Sequence, residues 1–245
     1  MMYSIFWTWI HLLQLCISNQ SLESEEDALN KPWRPIPSRL ISVARARTLR
    51  WILLPLCLFV SLRLGAQWPS ISLVLATLAY HELQFDSHVI LRNLCNAWGY
   101  ASFNAGAAMI ASGTSHVFLF KPTSYLTGRT FLLGQSTLTV RIAISVAVNS
   151  LIILSTVHSQ DFRDQIGDKL AGRWTIPMAW PRGSRFSILV FLTAWSVGLS
   201  WTCGLACVFS VPFCMLAVFV GLRFIQKKTA DEDRKSYQYY NVRFQ

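Results

Sequence analysis

The sequence predicts an all-α fold, a polytopic transmembrane helix bundle, and three observations carry that prediction. Hydrophobic residues make up 53% of the 245, charged residues only 14%, and mean hydropathy is +0.37. Soluble domains hold about 25% charged residues, so close to half of the ordinary charge is missing. The apolar residues are gathered into stretches near the roughly 20 residues that a helix needs to cross a hydrocarbon core. The basic residues, in turn, fall almost wholly between alternate stretches.

Seven stretches qualify: 2–18, 48–64, 68–85, 94–111, 131–157, 184–202 and 204–223. They leave no room for a separate soluble module, so residues 1–245 read as one integral membrane domain. The first stretch could be mistaken for a secretory leader. Met1 to Ser18 holds no Lys or Arg, whereas a leader wants a basic start and a small-residue cleavage site. A retained helix is the better reading.

Threading these helices puts the loops on alternating sides. One side receives residues 19–47, 86–93, 158–183 and the tail from 224. Of the 22 Lys and Arg, all but Arg63, Lys121, Arg129 and Arg141 fall there. An excess of Lys and Arg marks the cytosolic side, so the net charge of +10 reflects topology and suits anionic lipid headgroups. It does not point to nucleic acid. The six cysteines, at 16, 57, 95, 203, 207 and 214, form no CxxC pair. That argues against a zinc site or a disulfide framework and for small packing residues.

All twelve acids fall on the cytosolic side, which the charge rule does not require because acids contribute little to orientation. Asn19, Glu23 and Asp27 follow the first helix at intervals of four and four. Asp161, Asp164 and Asp168 follow the fifth at intervals of three and four. Each set lies along one face if its segment is helical. Two stripes of oxygen ligands would then oppose each other across the aqueous mouth of the bundle. Oxygen donors without His or Cys suit a hard cation, and Mg2+ typically takes one or two carboxylates while bridging to a phosphate. The plainer alternative is a set of solvated loop acids; against it stand the matched spacing and the nearby Lys31, Arg34, Lys169 and Arg173.

These motifs resemble the UbiA superfamily of intramembrane prenyltransferases, including its fungal terpene cyclases. The family pattern N-D-x-x-D-x-x-x-D, followed by K-P-x-R-P-x-P-S-G, meets Asn19, Glu23 and Asp27 and then Lys31-Pro32-Trp33-Arg34-Pro35-Ile36-Pro37-Ser38. The pattern D-x-x-D-x-x-G-D, then G-x-x-T-x-P, meets Asp161, Asp164, Gly167, Asp168, Gly172, Thr175 and Pro177. Three departures stand out: Gln20 and Glu23 replace Asp, and Arg39 stands where the family has Gly. The superfamily has nine helices, so the resemblance implies that the first and last are missing here, with the tail from Asp231 a polar run that leads into no helix.

The resemblance implies Mg2+ held by Asn19, Glu23, Asp27, Asp161, Asp164 and Asp168, with Asp161, Asp164 and Asp168 central to catalysis. It implies that Lys31, Arg34, Arg92, Asn96, Lys169 and Arg173 hold the diphosphate of a prenyl substrate, farnesyl or geranylgeranyl. For Arg92 and Asn96 the structural alternatives are an interfacial anchor and an interhelical bond. Trp98, Tyr100 and Phe103 could face a carbocation or simply pack. Three functions follow: a terpene cyclase of secondary metabolism, favoured by the fungal likeness; a prenyltransferase acting on an aromatic acceptor; and a non-catalytic membrane protein. The expected location is an endomembrane, the endoplasmic reticulum, with both motifs facing the cytosol. In a cysteine-free background, Ser38→Cys should label from the cytosolic side and Ser124→Cys from the opposite side. Labelling of both from one side would refute the threading.

Overall fold

The computed structural model describes residues 1–22, 24–113 and 128–244. Glu23, Lys121, Ser124 and the side chain of Arg129 lie outside the described residues. The described chain is all helical. It runs through α1 (Met2–Leu22), α2 (Ser24–Asn30), α3 (Val43–Leu64), α4 (Gln67–His81), α5 (Val89–Ser112), α6 (Gly128–Thr156), α7 (Asp161–Leu170), α8 (Ile176–Ala179), α9 (Pro181–Thr202), α10 (Cys207–Gln226) and α11 (Ala230–Phe244). Short 3-10 turns cover Phe85–Ser87 and Val157–Gln160.

Each of the seven apolar stretches meets a helix, but their membrane-crossing character is narrower than the sequence reading. Among the described residues, three runs are long and apolar enough to cross a bilayer: Thr139–Leu170, Pro181–Thr202 and Cys207–Gln226. The others are diluted or short. His11, Gln14, Asn19 and Gln20 interrupt α1, Arg45, Arg47, Arg50 and Arg63 bracket α3, and α4 has only 15 residues.

The chain divides into two compact units. One holds Met1–Phe85 and Cys95–Leu151, the other Asp86–Leu94 and Ile152–Gln245. In the first, α1, α3 and α4 pack together. Ser42 caps the start of α3 by accepting from the Arg45 amide, as short polar side chains do at helix N-termini. Gly65, at φ 69°, ends α3 in the left-handed conformation and turns the chain into α4. Ile10, Leu53 and Cys57 form an apolar seam. Beside it runs a buried polar one: Trp7 Nε1 donates to Ser61 Oγ at 2.8 Å, and His11 Nε2 meets Ser70 Oγ at 2.8 Å. Between apolar-faced helices such bonds and close contacts hold the packing.

In the second unit, α9 and α10 form an antiparallel hairpin. A Cβ on Gly221 would come within 2.6 Å of Leu189 Cα, so the missing side chain is what lets the two backbones approach. Phe162, Ile188, Leu192, Ala217, Val220, Phe224 and Tyr240 share the core. Trp201, Val208 and Phe209 stay exposed, as lipid-facing residues would be.

Two segments read as loop or tail are helical. The stretch DFRDQIGDKL of α7 has no apolar run to reveal it, yet Asp161 and Asp164 in its first turn and Lys169 in its last match the helix dipole. The tail forms α11, packed in the second unit. Arg185 makes two bonds of 2.7 Å to the Asp233 carboxylate and also donates to Phe224 O at 2.6 Å at the end of α10. Thr156 Oγ1 meets Tyr240 OH at 2.8 Å. Removing one partner of a buried ion pair costs about 3–5 kcal/mol because the other charge is stranded. Asp233→Ala should therefore lower the thermal unfolding midpoint strongly in detergent, and an unchanged midpoint would show that α11 is not anchored there.

Candidate functional site

The second acidic motif builds a buried cluster from three chain segments of one unit. Asp161, Asp164 and Asp168 all stand on α7 and are 1%, 8% and 0% exposed. The sequence reading placed these acids at an aqueous mouth; the structure buries them, because arginines come with them. Arg92, from the start of α5, donates Nη2 to Asp161 Oδ1 at 3.1 Å and approaches Asp168 Oδ1 at 3.9 Å. Arg173 places Nη1 at 3.6 Å from Asp168 Oδ1 and donates Nε to Asp86 Oδ2 at 2.9 Å. Arg163 Nε stands 3.4 Å from Asp164 Oδ1, with its guanidinium over the Tyr237 ring at 4.3 Å.

Gly172 explains the second half of the motif. At φ 71° it terminates α7 in the left-handed conformation, which glycine adopts without steric cost. The turn returns the Arg173 amide to Asp168 O at 2.8 Å and sets the Trp174 amide on Ser87 O at 3.2 Å. Thr175 then opens α8 with Pro177 just inside, a position that proline favours.

Among the described residues, four carboxylates (Asp86, Asp161, Asp164 and Asp168) and three guanidinium groups (Arg92, Arg163 and Arg173) meet in this cluster. Asp161 Oδ2 is buried and accepts no hydrogen bond. Among the described residues no three His, Cys, Asp or Glu side chains converge closely enough to hold a metal ion by themselves. The donor set therefore fits a hard cation that takes one or two carboxylates and completes its shell with water and phosphate oxygens, as Mg2+ does. It does not fit an all-protein cage.

The first motif lies in the other unit. Asn19, on α1, meets His81 Nε2 through its Oδ1 at 2.8 Å. Asp27, on α2, takes both 2.8 Å bonds from Arg34 Nη1, and Lys31 Nζ stands 3.8 Å away. Burial holds the Asp27 carboxyl above its ordinary value, an effect that Arg34 only partly opposes. Glu23 is outside the described residues. Arg50 pairs with Glu82 at 2.8 Å.

The remaining sequence candidates divide. Asn96 stands one turn beyond Arg92 on α5, with Nδ2 buried and unbonded. Lys169 is exposed and makes no ion pair among the described residues. Trp98 donates to Ser72 Oγ and Phe103 meets Trp7 edge-on, which is packing. Asp86 and Arg163 escaped the sequence reading; the signal for Asp86 was its membership of the one-sided set of acids.

Comparison with known proteins decides the family. Residues 2–242 match the UbiA prenyltransferase family. The chain belongs to that family. It is 27% identical over 194 residues to fumagillin beta-trans-bergamotene synthase of Aspergillus fumigatus, covering 79% of this chain and 60% of that protein. Two Hericium erinaceus proteins each align over 99% of it: a diterpene cyclase at 26% identity, 72% covered, and a polyprenyl transferase at 24%, 77% covered. The chain thus spans less than two thirds of the length of the first of these relatives. A solved structure of digeranylgeranylglyceryl phosphate synthase shares the fold, with a TM-score of 0.60 at 16% identity, over all of this chain and 82% of that one.

Membership also frames the turn after the first motif. Where the family pattern has Gly, Arg39 adopts φ 62°, a left-handed conformation that costs an ordinary residue roughly 1–2 kcal/mol. Arg39→Gly should stabilise the protein by about 1 kcal/mol and raise its unfolding midpoint. A lower midpoint would mean that the Arg39 side chain contributes more than its backbone strain.

Proposed function

We propose that this chain is a membrane enzyme of the UbiA type that ionises a prenyl diphosphate and passes the prenyl cation to an acceptor. The observation that carries the reading is the buried arginine and carboxylate cluster on α7, which joins oxygen ligands for a cation to guanidinium groups that suit phosphate. Membership of the prenyltransferase family supports the reaction class. In this reading residues 1–245 form one membrane domain with seven crossings and with both motifs on the cytosolic face.

In this mechanism Arg92 and Arg173 bind diphosphate oxygens, with Lys31 and Arg34 of the first motif as further donors and Asn96 as a neutral one. Exchange of a carboxylate for a phosphate suits arginine, which forms paired bonds to both. Asp161, Asp164 and Asp168, with Asn19, Glu23 and Asp27, would hold Mg2+. When bound, the ion neutralises charge on the departing diphosphate. The allylic carbon–oxygen bond breaks, and the diphosphate leaves with the electron pair. An aromatic acceptor then forms a bond to the allylic carbon and loses a proton. Walls that exclude water keep the cation from early capture.

Cyclisation is the second reading, and the bergamotene synthase and diterpene cyclase among the relatives favour it. There the cation is attacked by its own double bonds and quenched by proton loss, with no acceptor. Both readings share the ionisation step.

One experiment tests both. Membranes holding the protein, given farnesyl or geranylgeranyl diphosphate with Mg2+, should release diphosphate, and Asp168→Asn should lower that release by about 10²–10³-fold. Chelation should abolish it. Product that forms only with an added phenolic acceptor supports transfer, and a cyclic hydrocarbon without one supports cyclisation. Full release in excess chelator, or from the Asp168→Asn protein, would refute ionisation at this cluster.

A further inference from the structure

The α9–α10 hairpin separates charge from apolar surface along its length. From Phe186 to Leu222 the chain carries no charged residue, whereas its two open ends carry Arg182, Arg185, Arg223, Lys227 and Lys228. Both helices are long and apolar enough to cross a membrane. Their charged ends therefore lie at the depth of the headgroups, on the side that basic residues favour.

A cavity of about 490 Å³ opens at this end, within the second unit. Phe162, Pro177, Phe186 and Ile225 give it apolar walls, and Arg182 and Lys228 line it as exposed cations. Two of the neighbouring cations are already committed. Arg185, a lining residue too, is held by Asp233 and by α10 carbonyls, and Arg223 is held by Glu232 at 2.8 Å. Arg182 and Lys228 make no ion pair among the described residues. Phe162 and Gln165 of α7 line the cavity, but none of Asp161, Asp164 and Asp168 does.

Two lining cations without an ion pair, over apolar walls at headgroup depth, select an amphiphile with a phosphate at its polar end. We propose that this cavity binds the phosphate of an anionic lipid headgroup, with Arg182 and Lys228 on the phosphate and Phe162, Phe186 and Ile225 against the glycerol and the upper acyl chain. The shared chemistry is the phosphate, so a soluble phosphate is the other source that the test must separate.

The full-length protein, purified in a neutral detergent, is titrated separately with dioctanoyl phosphatidic acid, dioctanoyl phosphatidylcholine and inorganic phosphate, and bound ligand is counted by native mass spectrometry. Phosphatidic acid should bind well ahead of phosphatidylcholine. Arg182→Gln with Lys228→Gln should cut that preference by roughly 25-fold, at about fivefold for each cation lost near a membrane surface. Both side chains are exposed, so the unfolding midpoint in detergent alone should hold. Should it fall, Phe186→Glu replaces the pair, and it should weaken phosphatidic acid through charge repulsion and lost apolar contact. Inorganic phosphate binding as tightly as phosphatidic acid, and lost in the double variant, would keep the phosphate site but overturn its lipid source. Equal binding of the two lipids to the unaltered protein, or a preference that survives in the folded double variant, would overturn the site.

Discussion

A carboxylate taken out of water costs several kcal/mol unless a cation accompanies it, and α7 removes three from water within ten residues. Much of the second unit answers that demand. The start of α5 delivers Arg92, the left-handed turn at Gly172 delivers Arg173, and Arg163 lies against Asp164 on α7 itself. Asp86 in turn takes the second face of Arg173. The motif is therefore more than a row of acids. Its glycine and its arginine are the means by which the row can be buried.

The same interaction places the tail. Arg185 stacks over Phe162 at 4.3 Å while it holds Asp233, and Tyr237 lies under Arg163. Both contacts run from α11 or α9 to α7, so the helix with the acids is fixed from its apolar side as well as its charged side. Phe162 and Phe224, 5.4 Å apart between ring centroids, complete that packing. A site whose carboxylates must keep one geometry gains from supports of this kind, since small misplacements of reacting groups are costly in rate.

Helices were legible in the sequence wherever apolar runs made them: each of the seven stretches has a helix at its place. What hydropathy could not show was helix without an apolar run, as in α7 and α11, whose sequences are mostly polar. Membrane crossing was legible in part: among the described residues three runs are long and apolar enough to cross, while in α1 His11 and Gln14 lie inside the run, bonded to Ser70 and Ser18. In the candidate site, the acids of α7 were visible from their spacing, Arg173 from its nearness to them in the chain and Arg92 from the family resemblance. Their burial was not visible, because acids on a polar segment read as solvated until their partners are known. The pairing of Arg185 with Asp233 spans 48 residues, and no local pattern announces a contact that distant.

The turn after the first motif shows what such patterns encode. Gly172 and Arg39 both occupy left-handed backbone, one with the residue suited to it and one without. Strain of this sort persists only where the surroundings over-determine the conformation. Around Arg39 they do. Ser38 N bonds to Arg34 O at 2.9 Å, Arg39 N to Ile36 O at 2.9 Å and Leu40 N to Pro35 O at 2.9 Å, and the Ser38 hydroxyl closes on Arg34 O at 2.8 Å. Pro35 and Pro37 restrict the chain further by fixing φ. The turn follows directly on Arg34, which is bound at both oxygens of Asp27. A relaxed backbone at Arg39 would loosen the bonds that return to Arg34 and Pro35, and with them the position of the guanidinium. The feature that the sequence retains is thus the turn itself, and glycine is the cheaper of two ways to make it.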